Sequence, residues 1–358
     1  MSDSRPKILL TFRIGGENGG PYISHKRIME SSLSKKYDFE PLMLENPRKL
    51  RNPKIFFKTV KQIKQAMPAL VHLAGLQSEG FLIMFACRMA GVKTVVAVHG
   101  SSTEAIGYGK IANLIFRFIE KYTVNKADAV YGVSDYVSSW KVCKCAKHYC
   151  GTIYNIADFE KTEYTQPYVR KELGISNDDI VIVSTGRITK DKGFDILWEI
   201  IKQLKEIPNI KFVIAGDGNY KEEWLSEIKQ QGFDNKVFLL GYRNDIDNIL
   251  KESNIFIICT KHETLCISLL EAGINSLPLI ASDVGGIPEI IEDGKNGFLI
   301  PVGDEEGFKE KLLKLISEGE LRKEIGEAAR NYIKDKFEER KIVAKLDNVY
   351  RKVIGEKM

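Results

Sequence analysis

Short apolar runs alternate with segments of helical period along the whole chain. Runs of this length, bounded by turns, are typical of buried strands, and their alternation with helices indicates parallel strands joined by crossover helices. The first half is therefore predicted to be α/β. Its predicted strands are Lys7–Phe12, Glu40–Leu44, Ala69–Ala74, Thr94–His99, Ala129–Val133 and Tyr149–Tyr154.

The second half repeats this pattern. After its first strand, Phe194, Leu197, Ile201 and Leu204 recur on one helical face until Pro208 ends the helix. We expect two doubly wound, Rossmann-like domains facing across a cleft, with ligands bound where the carboxyl ends of their strands meet. The predicted strands are Ile180–Thr185, Ile210–Ala215, Val237–Leu240, Ile255–Cys259, Leu279–Ser282 and Phe298–Ile300.

A polar stretch divides the two patterns. Residues Glu160–Gly174 include Pro167 and show no strand signal, which favours a linker between domains. We predict a first domain at 1–165 and a second at 166–336. The helical pattern of 337–358 is predicted to pack back on the first domain.

Composition excludes several classes of protein. With 44% apolar, 9% aromatic and 28% charged residues and a mean hydropathy of −0.19, the chain is globular. The longest apolar stretch, Phe81–Cys87, is far shorter than the ~20 residues of a membrane-spanning helix. The early run Ile8–Phe12 is shorter than the roughly 7–15 residues of a signal-peptide core, so we expect a cytoplasmic protein.

Charge is unevenly distributed. Residues 1–165 have 24 Lys and Arg against 14 Asp and Glu, a balance of +10, which leaves −5 for the remainder of a chain of +5. Such a basic half indicates an anionic partner, either a membrane leaflet or nucleic acid. Nucleic acid fits less well because the chain has no recognised binding motif for it.

The strongest basic stretch is 46–65, which has seven basic residues and no acidic one. Phe56, Val60 and Ile63 share one helical face there, a pattern typical of an interfacial helix that docks on an anionic membrane. A crossover helix with its apolar face on the sheet and solvated lysines gives the same pattern, and both interpretations can hold together. The candidate docking lysines are Lys54, Lys58, Lys61 and Lys64.

Four possible metal ligands lie close together: Cys143, Cys145, His148 and Cys150. Three Cys and one His can bind zinc, but structural zinc sites usually combine a pair of closely spaced ligands with further ligands from a distant part of the chain. A strand through His148 would also point alternate side chains in opposite directions. A thiol-rich helix-to-strand connection without metal is the favoured interpretation.

The loop Gly186–Gly193 is a candidate phosphate site. It follows a strand and opens a helix, and it includes Arg187 and Lys192. Backbone N–H groups at a helix start and two cations can together hold an anion, although a solvated polar turn has the same composition. It is not a P-loop, because Gly rather than Ser or Thr follows Lys192.

Two carboxylates follow the strand Ile255–Cys259. Glu263 and Glu271 are separated by seven residues and lie about 80° apart if they share one helix. If the helix instead begins near Cys266, Glu263 lies in a loop, and the N–H groups of Leu265 and Cys266 face the crevice. A helix-dipole charge for Glu263 and a solvated helix face for Glu271 are the alternatives.

Glycine corners and one histidine complete the candidates. The segment Ser282–Glu289 is a tight strand-to-helix corner, and Gly19-Gly20-Pro21 is another. Either corner allows close approach of a ligand to the backbone, or is simply a turn. His99 ends a strand of the first sheet, where it either packs or meets a ligand.

These elements form an ordered set of motifs that spans nearly the whole chain. The set is Gly19-Gly20, His99-Gly100, Gly186-Arg187 with Lys192-Gly193, Gly216-Asp217-Gly218, Glu263 with Glu271, Gly285-Gly286-Ile287-Pro288-Glu289 and Asp293-Gly294 with Gly297. In this order it resembles the retaining, nucleotide-sugar-dependent glycosyltransferases of family 4 with the GT-B fold. Each motif alone is weak, whereas their order is specific.

The resemblance implies a role for each charged residue. Arg187 and Lys192 would bind the donor diphosphate and offset charge on the leaving nucleotide. Glu263 would contact the hydroxyls of the transferred sugar, and Glu271 would hold the ribose hydroxyls. The charge that develops on a departing diphosphate calls for fixed cations and helix-end N–H groups, so no metal or other cofactor is expected.

Further residues take roles by the same resemblance. His99 would contact the sugar from the first domain, and Gly20 would let backbone approach the donor. Tyr242 would lie by the base. The remaining donor-binding positions are Gly216, Leu265 and Cys266.

The resemblance also implies the substrates. The first domain would bind the acceptor, a glycan or lipid-linked glycan in cell-surface polysaccharide assembly. The second domain would bind the donor, for which we expect a UDP-linked hexose or N-acetylhexosamine. Docking through the basic stretch would place the enzyme on the inner face of a membrane.

One departure leaves alternatives open. The usual Gly-Phe-Gly after the first Glu is here Thr264-Leu265-Cys266, so amides expected near the phosphate carry β-carbons. A sugar-nucleotide epimerase and a catalytically silent glycan-binding protein of the same fold remain alternatives. A nicotinamide oxidoreductase is disfavoured, because G-x-G-x-x-G does not follow the first strand.

Overall fold

Two parallel six-stranded sheets are the framework of the computed structural model, which describes residues 5–16, 19–45, 47–103, 109–157 and 168–356. The chain forms two compact units. Met1–Ile156 and Phe337–Met358 make up the first domain, and Ala157–Lys336 make up the second.

The first sheet is entirely parallel. Its strands are β1 Lys7–Arg13, β2 Asp38–Leu44, β3 Leu70–Ala74, β4 Lys93–Val98, β5 Ala129–Gly132 and β6 Tyr149–Thr152. They lie in the order β2-β1-β3-β4-β5-β6. The strands β3, β4 and β5 are buried almost throughout, as expected where helices cover both faces.

Among the described residues, seven helices precede or follow these strands, besides a 3-10 turn at Ser32–Lys35. They are α1 Gly20–Glu30, α2 Pro47–Leu50, α3 Pro53–Ala66, α4 Ser78–Ala90, α5 Lys110–Lys126, α6 Asp135–Ser138 and α7 Lys141–Lys144. Local sequence sets their ends: the Asn52 side chain caps α3 before Pro53, and Gly91 ends α4 at φ +72°. The helix α4 lies between α3 and α5.

The second sheet is also parallel. Its strands are β7 Ile180–Thr185, β8 Ile210–Ala215, β9 Val237–Gly241, β10 Ile255–Ile258, β11 Leu279–Ser282 and β12 Gly297–Ile300. They lie in the order β12-β11-β10-β7-β8-β9.

Helices surround this sheet, with 3-10 turns at Lys190–Lys192 and Ile287–Glu289. They are α8 Val169–Leu173, α9 Phe194–Gln203, α10 Lys221–Gln230, α11 Ile246–Lys251, α12 Ile267–Ile274, α13 Glu305–Ser317 and α14 Gly319–Lys336. Phe194, Trp198 and Trp224 are almost fully buried and pack together between α9 and α10. These aromatic rings provide apolar contact between the two helices.

The last helix, α15 Glu339–Ile354, belongs to the first domain. The hydroxyl of the fully buried Tyr350 lies 2.8 Å from His72 Nδ1 on β3. Asp347 accepts from the Tyr37 hydroxyl at 2.8 Å and from Lys36 Nζ at 2.6 Å. Both apolar and polar contacts therefore fix α15 against the first sheet.

The predicted fold class is confirmed: the protein has two Rossmann-like α/β domains, and each predicted strand is within two residues of the observed one. The predicted boundary between 165 and 166 lies outside the described residues. The described end of the predicted linker carries α8, whose first N–H groups bond to the buried Glu252 carboxylate. No described helix is long and apolar enough to span a membrane.

Candidate functional site

The strand order of the second sheet reverses between β7 and β10, and the two charged loops follow these strands. The strand β8 lies on one side of β7, and β10 lies on the other. The loop with Arg187 and Lys192 follows β7, and Glu263 follows β10. The crevice at such a reversal is the usual ligand site of an open parallel sheet. The structure therefore brings these three predicted residues to one place.

Gly193 allows the two loops to touch. Its φ of +71° favours glycine, and a β-carbon there would lie 1.7 Å from the Cys259 carbonyl oxygen. The backbone that follows Lys192 therefore lies directly against the end of β10. This contact sets Lys192 beside the loop of Glu263.

Lys192 and Glu263 form an ion pair. Lys192 Nζ lies 2.7 Å from Glu263 Oε2, and the two side chains are 21% and 14% exposed. Burial lowers the pKa of Lys192, but the Glu263 carboxylate outweighs burial and the like charge of Arg187, so this pKa is raised above its ordinary value. Lys192 is therefore a fixed cation at neutral pH.

Arg187 is a further cation of the loop, which also includes Lys190. Its side chain is exposed, and no carboxylate of the described ranges lies within ion-pair distance of it. A guanidinium offers several N–H donors in a plane that matches phosphate oxygens. Arg187 is thus available to an anionic ligand.

The backbone of Glu263 is held from two sides. Its Oε1 accepts from the Thr264 N–H at 3.0 Å, and its carbonyl accepts from the Gly286 N–H at 3.3 Å. Gly285 has a φ of +62°, and a β-carbon there would lie 1.8 Å from the Glu263 carbonyl oxygen. The glycine corner after β11 therefore serves to hold the Glu263 loop.

The segment that departs from Gly-Phe-Gly turns its side chains inward. Leu265 and Cys266 are only 4% and 2% exposed, and α12 begins after them. Their N–H groups have no hydrogen-bond partner in the described part of the chain. Burial raises the pKa of the Cys266 thiol to about 12, with Glu263 adding to the effect. The β-carbons therefore point into the domain, and the thiol is not a nucleophile at neutral pH.

Glu271 lies on α12 and Glu263 lies in the preceding loop, so the two carboxylates do not share a helix. This arrangement is the one expected if the helix begins near Cys266. Glu271 is half-buried, and its carbonyl oxygen accepts from Asn275 Nδ2 at 3.0 Å.

Gly216 and Tyr242 follow the next two strands of the sheet. A β-carbon at Gly216 would lie 1.7 Å from the Gly186 carbonyl oxygen, and the Gly216 N–H donates to the Gly241 carbonyl at 2.8 Å. Gly216 therefore packs the loop after β8 against that after β7. Tyr242 is 51% exposed at the end of β9, two strands away from β7.

In the first domain, Gly20 begins α1 immediately after the β1 loop, and His99 follows β4. His99 Nε2 is buried and has no partner in the part of the chain that the structure describes. Burial, with His25 nearby, lowers the pKa of His99 to about 3. His99 is therefore a neutral imidazole whose buried Nε2 is open to a ligand.

Two further buried histidines, His25 and His72, were not singled out from the sequence. Their rings are 4.6 Å apart, and both are fully buried. His25 Nδ1–H donates to the Thr11 carbonyl at 2.9 Å, and His72 bonds to the hydroxyls of Tyr131 and Tyr350 at 3.0 and 2.8 Å. These residues come from different elements, so no local pattern could join them.

The buried imidazoles of His25 and His99 predict that the folded protein loses stability in acid. Burial lowers the pKa of His25 to about 4, and that of His99 is about 3. An unfolded imidazole titrates near 6.5, so below about pH 6.5 the unfolded chain binds more protons and the free energy of unfolding falls. Each histidine contributes a slope of up to ~1.4 kcal/mol per pH unit.

Chemical denaturation between about pH 7 and 5 measures this slope. His25→Asn should flatten it relative to the wild type, because one imidazole no longer has to charge on unfolding. His148→Asn, at an exposed position, is the matched control and should not. An unchanged slope for His25→Asn would contradict the prediction.

Glu120 on α5 is another residue that the sequence did not indicate. It is 1% exposed and accepts from the Ser101 hydroxyl at 2.6 Å, the Ser102 N–H at 2.6 Å and the Thr103 hydroxyl at 3.0 Å. These bonds hold the loop that follows His99.

The basic stretch of the first domain forms α2 and most of α3. Thr59, Val60 and Ile63 are buried, so its apolar face packs on the domain as the crossover interpretation predicted. The lysines predicted to dock are all exposed: Lys54, Lys58, Lys61 and Lys64.

The cysteine cluster spans α7 and β6. Cys143 is buried and Cys145 is exposed, and Cys150 Sγ donates to the His148 carbonyl at 3.6 Å. Within the described ranges, no group of three or more His, Cys, Asp or Glu side chains is placed to hold a metal ion.

Comparison with known proteins gives the class. Residues 166–332 match the model of glycosyl transferases group 1. The N-acetyl-alpha-D-glucosaminyl L-malate synthase of Bacillus anthracis is 28% identical over 271 residues, 74% of this chain and 69% of that protein. The UDP-Gal:alpha-D-GlcNAc-diphosphoundecaprenol alpha-1,3-galactosyltransferase of Escherichia coli is 27% identical over 344 residues, 89% and 84% of the two chains.

The fold is also found among solved structures. The crystal structure of Anabaena HepE in complex with UDP and glucose matches with a TM-score of 0.80 and 19% identity, over 97% of this chain and all of that one. The protein is thus a transferase, with the two Rossmann-like domains of GT-B enzymes. More specifically, its second domain matches the group 1 glycosyl transferases over residues 166–332.

Proposed function

We propose that the protein transfers a hexosyl or N-acetylhexosaminyl unit from a UDP-sugar to a glycan or lipid-linked glycan. The observation that carries this proposal is that exposed Arg187 and the shielded Lys192–Glu263 ion pair lie in the loops where the strand order of the second sheet reverses. The two cations suit the diphosphate of the donor, and the carboxylate suits the hydroxyls of its sugar.

The chemistry follows from these charges. The bond between the sugar C1 and the diphosphate oxygen breaks, the acceptor oxygen bonds to C1, and the proton of the acceptor hydroxyl passes to the departing diphosphate. Arg187 and Lys192 stabilise the negative charge of the departing UDP, and the ion pair with Glu263 already orients Lys192 when that charge develops. In this proposal transfer retains the anomeric configuration and needs no metal.

The other residues bind the donor. The free N–H groups of Leu265 and Cys266 donate to the diphosphate, Gly216 gives room for close approach, and Tyr242 lies by the base. In the first domain, Gly20 allows backbone contact with the donor, and neutral His99 contacts the sugar. Glu263 holds the sugar hydroxyls, and Glu271 holds the ribose.

The acceptor proposal has independent support. The name of the Escherichia coli relative includes a diphosphoundecaprenol acceptor, which is a lipid. The exposed lysines of α3 would meet the anionic headgroups around such an acceptor at the inner face of a membrane.

A panel of UDP-, GDP- and ADP-sugars tests the donor. A ligand that binds only the native state raises the apparent melting temperature by mass action, and we expect UDP-hexoses to give the largest shift. Turnover with and without acceptor separates transfer from the alternatives. An epimerase acts without acceptor, and a silent protein consumes no donor, so either result would overturn the proposal.

The two carboxylates make separable predictions. Glu271→Ala should weaken binding of free UDP and of the UDP-sugar, because the ribose belongs to both. Glu263→Ala should spare UDP and weaken only the sugar conjugate. Isothermal calorimetry with UDP and with the UDP-sugar measures both. Equal weakening of UDP by the two variants would show that these roles are wrongly assigned.

A further inference from the structure

The helix α5 exposes a row of large apolar side chains, which we call the apolar ridge. Ile111, Leu114, Ile115 and Phe118 are 79%, 69%, 53% and 67% exposed. Their spacing of three and four residues places them within about 100° on one face of the helix. A contiguous exposed apolar surface of this kind on a globular domain marks an interaction site.

The opposite face of α5 is packed. Glu120, Thr123 and Val124 are buried on the domain. The helix is therefore fixed by its inner face, and the apolar ridge points outward without a role in the core of the first domain.

The exposed apolar surface continues onto α4 and α3. Phe85, Met89 and Phe57 are 45%, 42% and 56% exposed. Ring contacts connect the helices: Phe56 stacks on Phe85 at 5.9 Å between α3 and α4, and Phe81 meets Tyr122 at 5.3 Å between α4 and α5. The three helices therefore form one continuous outer surface.

Charge on this surface has one sign. Glu120 is buried, and the only other carboxylate of these helices, Glu79, has a side chain 19% exposed and 3.8 Å from Arg13. The cations are exposed on all three helices: Lys54, Lys58, Lys61, Lys64, Arg88, Lys110, Arg117, Lys121 and Lys126. The surface is thus apolar and cationic together.

This combination selects the partner. A second copy of the chain would bring cations against cations, which is unfavourable at an interface. Nucleic acid would satisfy the cations and leave the apolar ridge in water. An anionic lipid bilayer satisfies both, because headgroup phosphates accept the lysines and the acyl boundary accepts the apolar side chains.

We propose that α5 inserts its apolar ridge into an anionic bilayer, with the exposed cations of α3, α4 and α5 bound to headgroup phosphates. The proposal rests on the lipid-linked acceptor of the proposed function and names the surface that reaches it. On the inner side of the same helix, Glu120 holds the loop that follows His99. The helix α5 therefore connects the proposed membrane surface to that loop.

Vesicle co-sedimentation tests the apolar ridge. The wild type should bind phosphatidylglycerol vesicles, and the binding should weaken with salt, while phosphatidylcholine vesicles bind far less. Leu114→Ser with Phe118→Ser should lower the partition coefficient about tenfold or more, since two large side chains no longer enter the acyl boundary. Val302→Ser, at a 45% exposed apolar residue of the second domain, is the matched control and should bind as the wild type.

The cations are tested separately. Replacing Lys110, Arg117 and Lys121 with Gln should abolish most binding at low salt and leave the salt dependence shallow. Equal vesicle binding by the wild type and the Leu114/Phe118 double variant would overturn the proposal. The proposal would also be overturned if the wild type bound no vesicles but formed a dimer in sedimentation velocity, and the double variant did not form this dimer.

Two measurements separate this proposal from the proposed function. Arg187→Ala should still bind vesicles, and the Leu114/Phe118 double variant should still turn over a UDP-sugar with a water-soluble acceptor. Vesicle binding that depends on the apolar ridge, without turnover of any donor, would reject the enzymatic proposal and keep the membrane surface. Turnover with ridge-independent binding would reject the membrane surface alone.

Discussion

Arg187→Ala is expected to lower turnover by ~10²–10³ and to leave the protein folded. The loss follows because the guanidinium stabilises charge that develops only as the diphosphate departs. Folding is spared because the side chain is exposed and forms no ion pair within the described part of the chain. Initial rates with saturating UDP-sugar and acceptor measure turnover, and circular dichroism checks the fold.

Lys190→Ala is the matched control for this prediction. Lys190 lies in the same loop, but it pairs with Glu223 at 2.9 Å and lies over the Tyr220 ring at 4.8 Å. Its loss should leave turnover near that of the wild type. An equal loss in both variants would mean that loop charge in general, and not Arg187, supports transfer.

Lys192→Ala should also lose turnover, but it is a less direct test, because it leaves the Glu263 carboxylate without its cation. EDTA should not reduce the activity of the wild type. Activity abolished by EDTA, or wild-type rates for both Arg187→Ala and Lys192→Ala, would reject the mechanism.

Gly285→Ala is expected to lower the free energy of unfolding by about 2–4 kcal/mol and to abolish most activity. The β-carbon would lie 1.8 Å from the Glu263 carbonyl oxygen, so the loop must move, at a cost of about 1–3 kcal/mol. The φ of +62° adds strain of about 1 kcal/mol for a residue with a side chain. Activity falls because Glu263 no longer lies beside Lys192.

Gly294→Ala separates the effect of backbone strain from the effect of the close contact. Gly294 has a φ of +74°, but a β-carbon there would have nothing within 4 Å. This variant should therefore show the strain alone and keep its activity. Urea denaturation and initial rates of the two variants give the comparison. Equal destabilisation in both would mean that the close contact with Glu263 is not what requires glycine.

The fold was predictable from sequence because it depends on local signals. Each buried strand is a short apolar run, and turn residues mark most of its ends. The position of Glu263 was predictable only as one of two alternatives, since residues 263–266 do not fix where a helix starts. The structure decides it through Gly285 and Gly286, which hold the loop from a different strand.

The exposed surfaces and the contacts between distant residues could not be predicted, because they depend on tertiary packing that no local sequence pattern contains. The basic stretch predicted a helix whose apolar face either docks on a membrane or packs on the sheet, and in the structure this face of α3 is buried. The exposed apolar ridge on α5 was not indicated, because its sequence has apolar residues on both faces and only packing decides which face is covered. The contact of His25 with His72 likewise joins α1 to β3.

The place of α15 has a consequence for biosynthesis. The first domain is discontinuous in sequence: α15, which covers His72 through Tyr350, is translated only after the entire second domain. During translation, the sheet of the first domain therefore has part of its apolar surface uncovered until α15 is made. The second domain, in contrast, is one uninterrupted segment. The order of synthesis thus lets the second domain finish folding before the first.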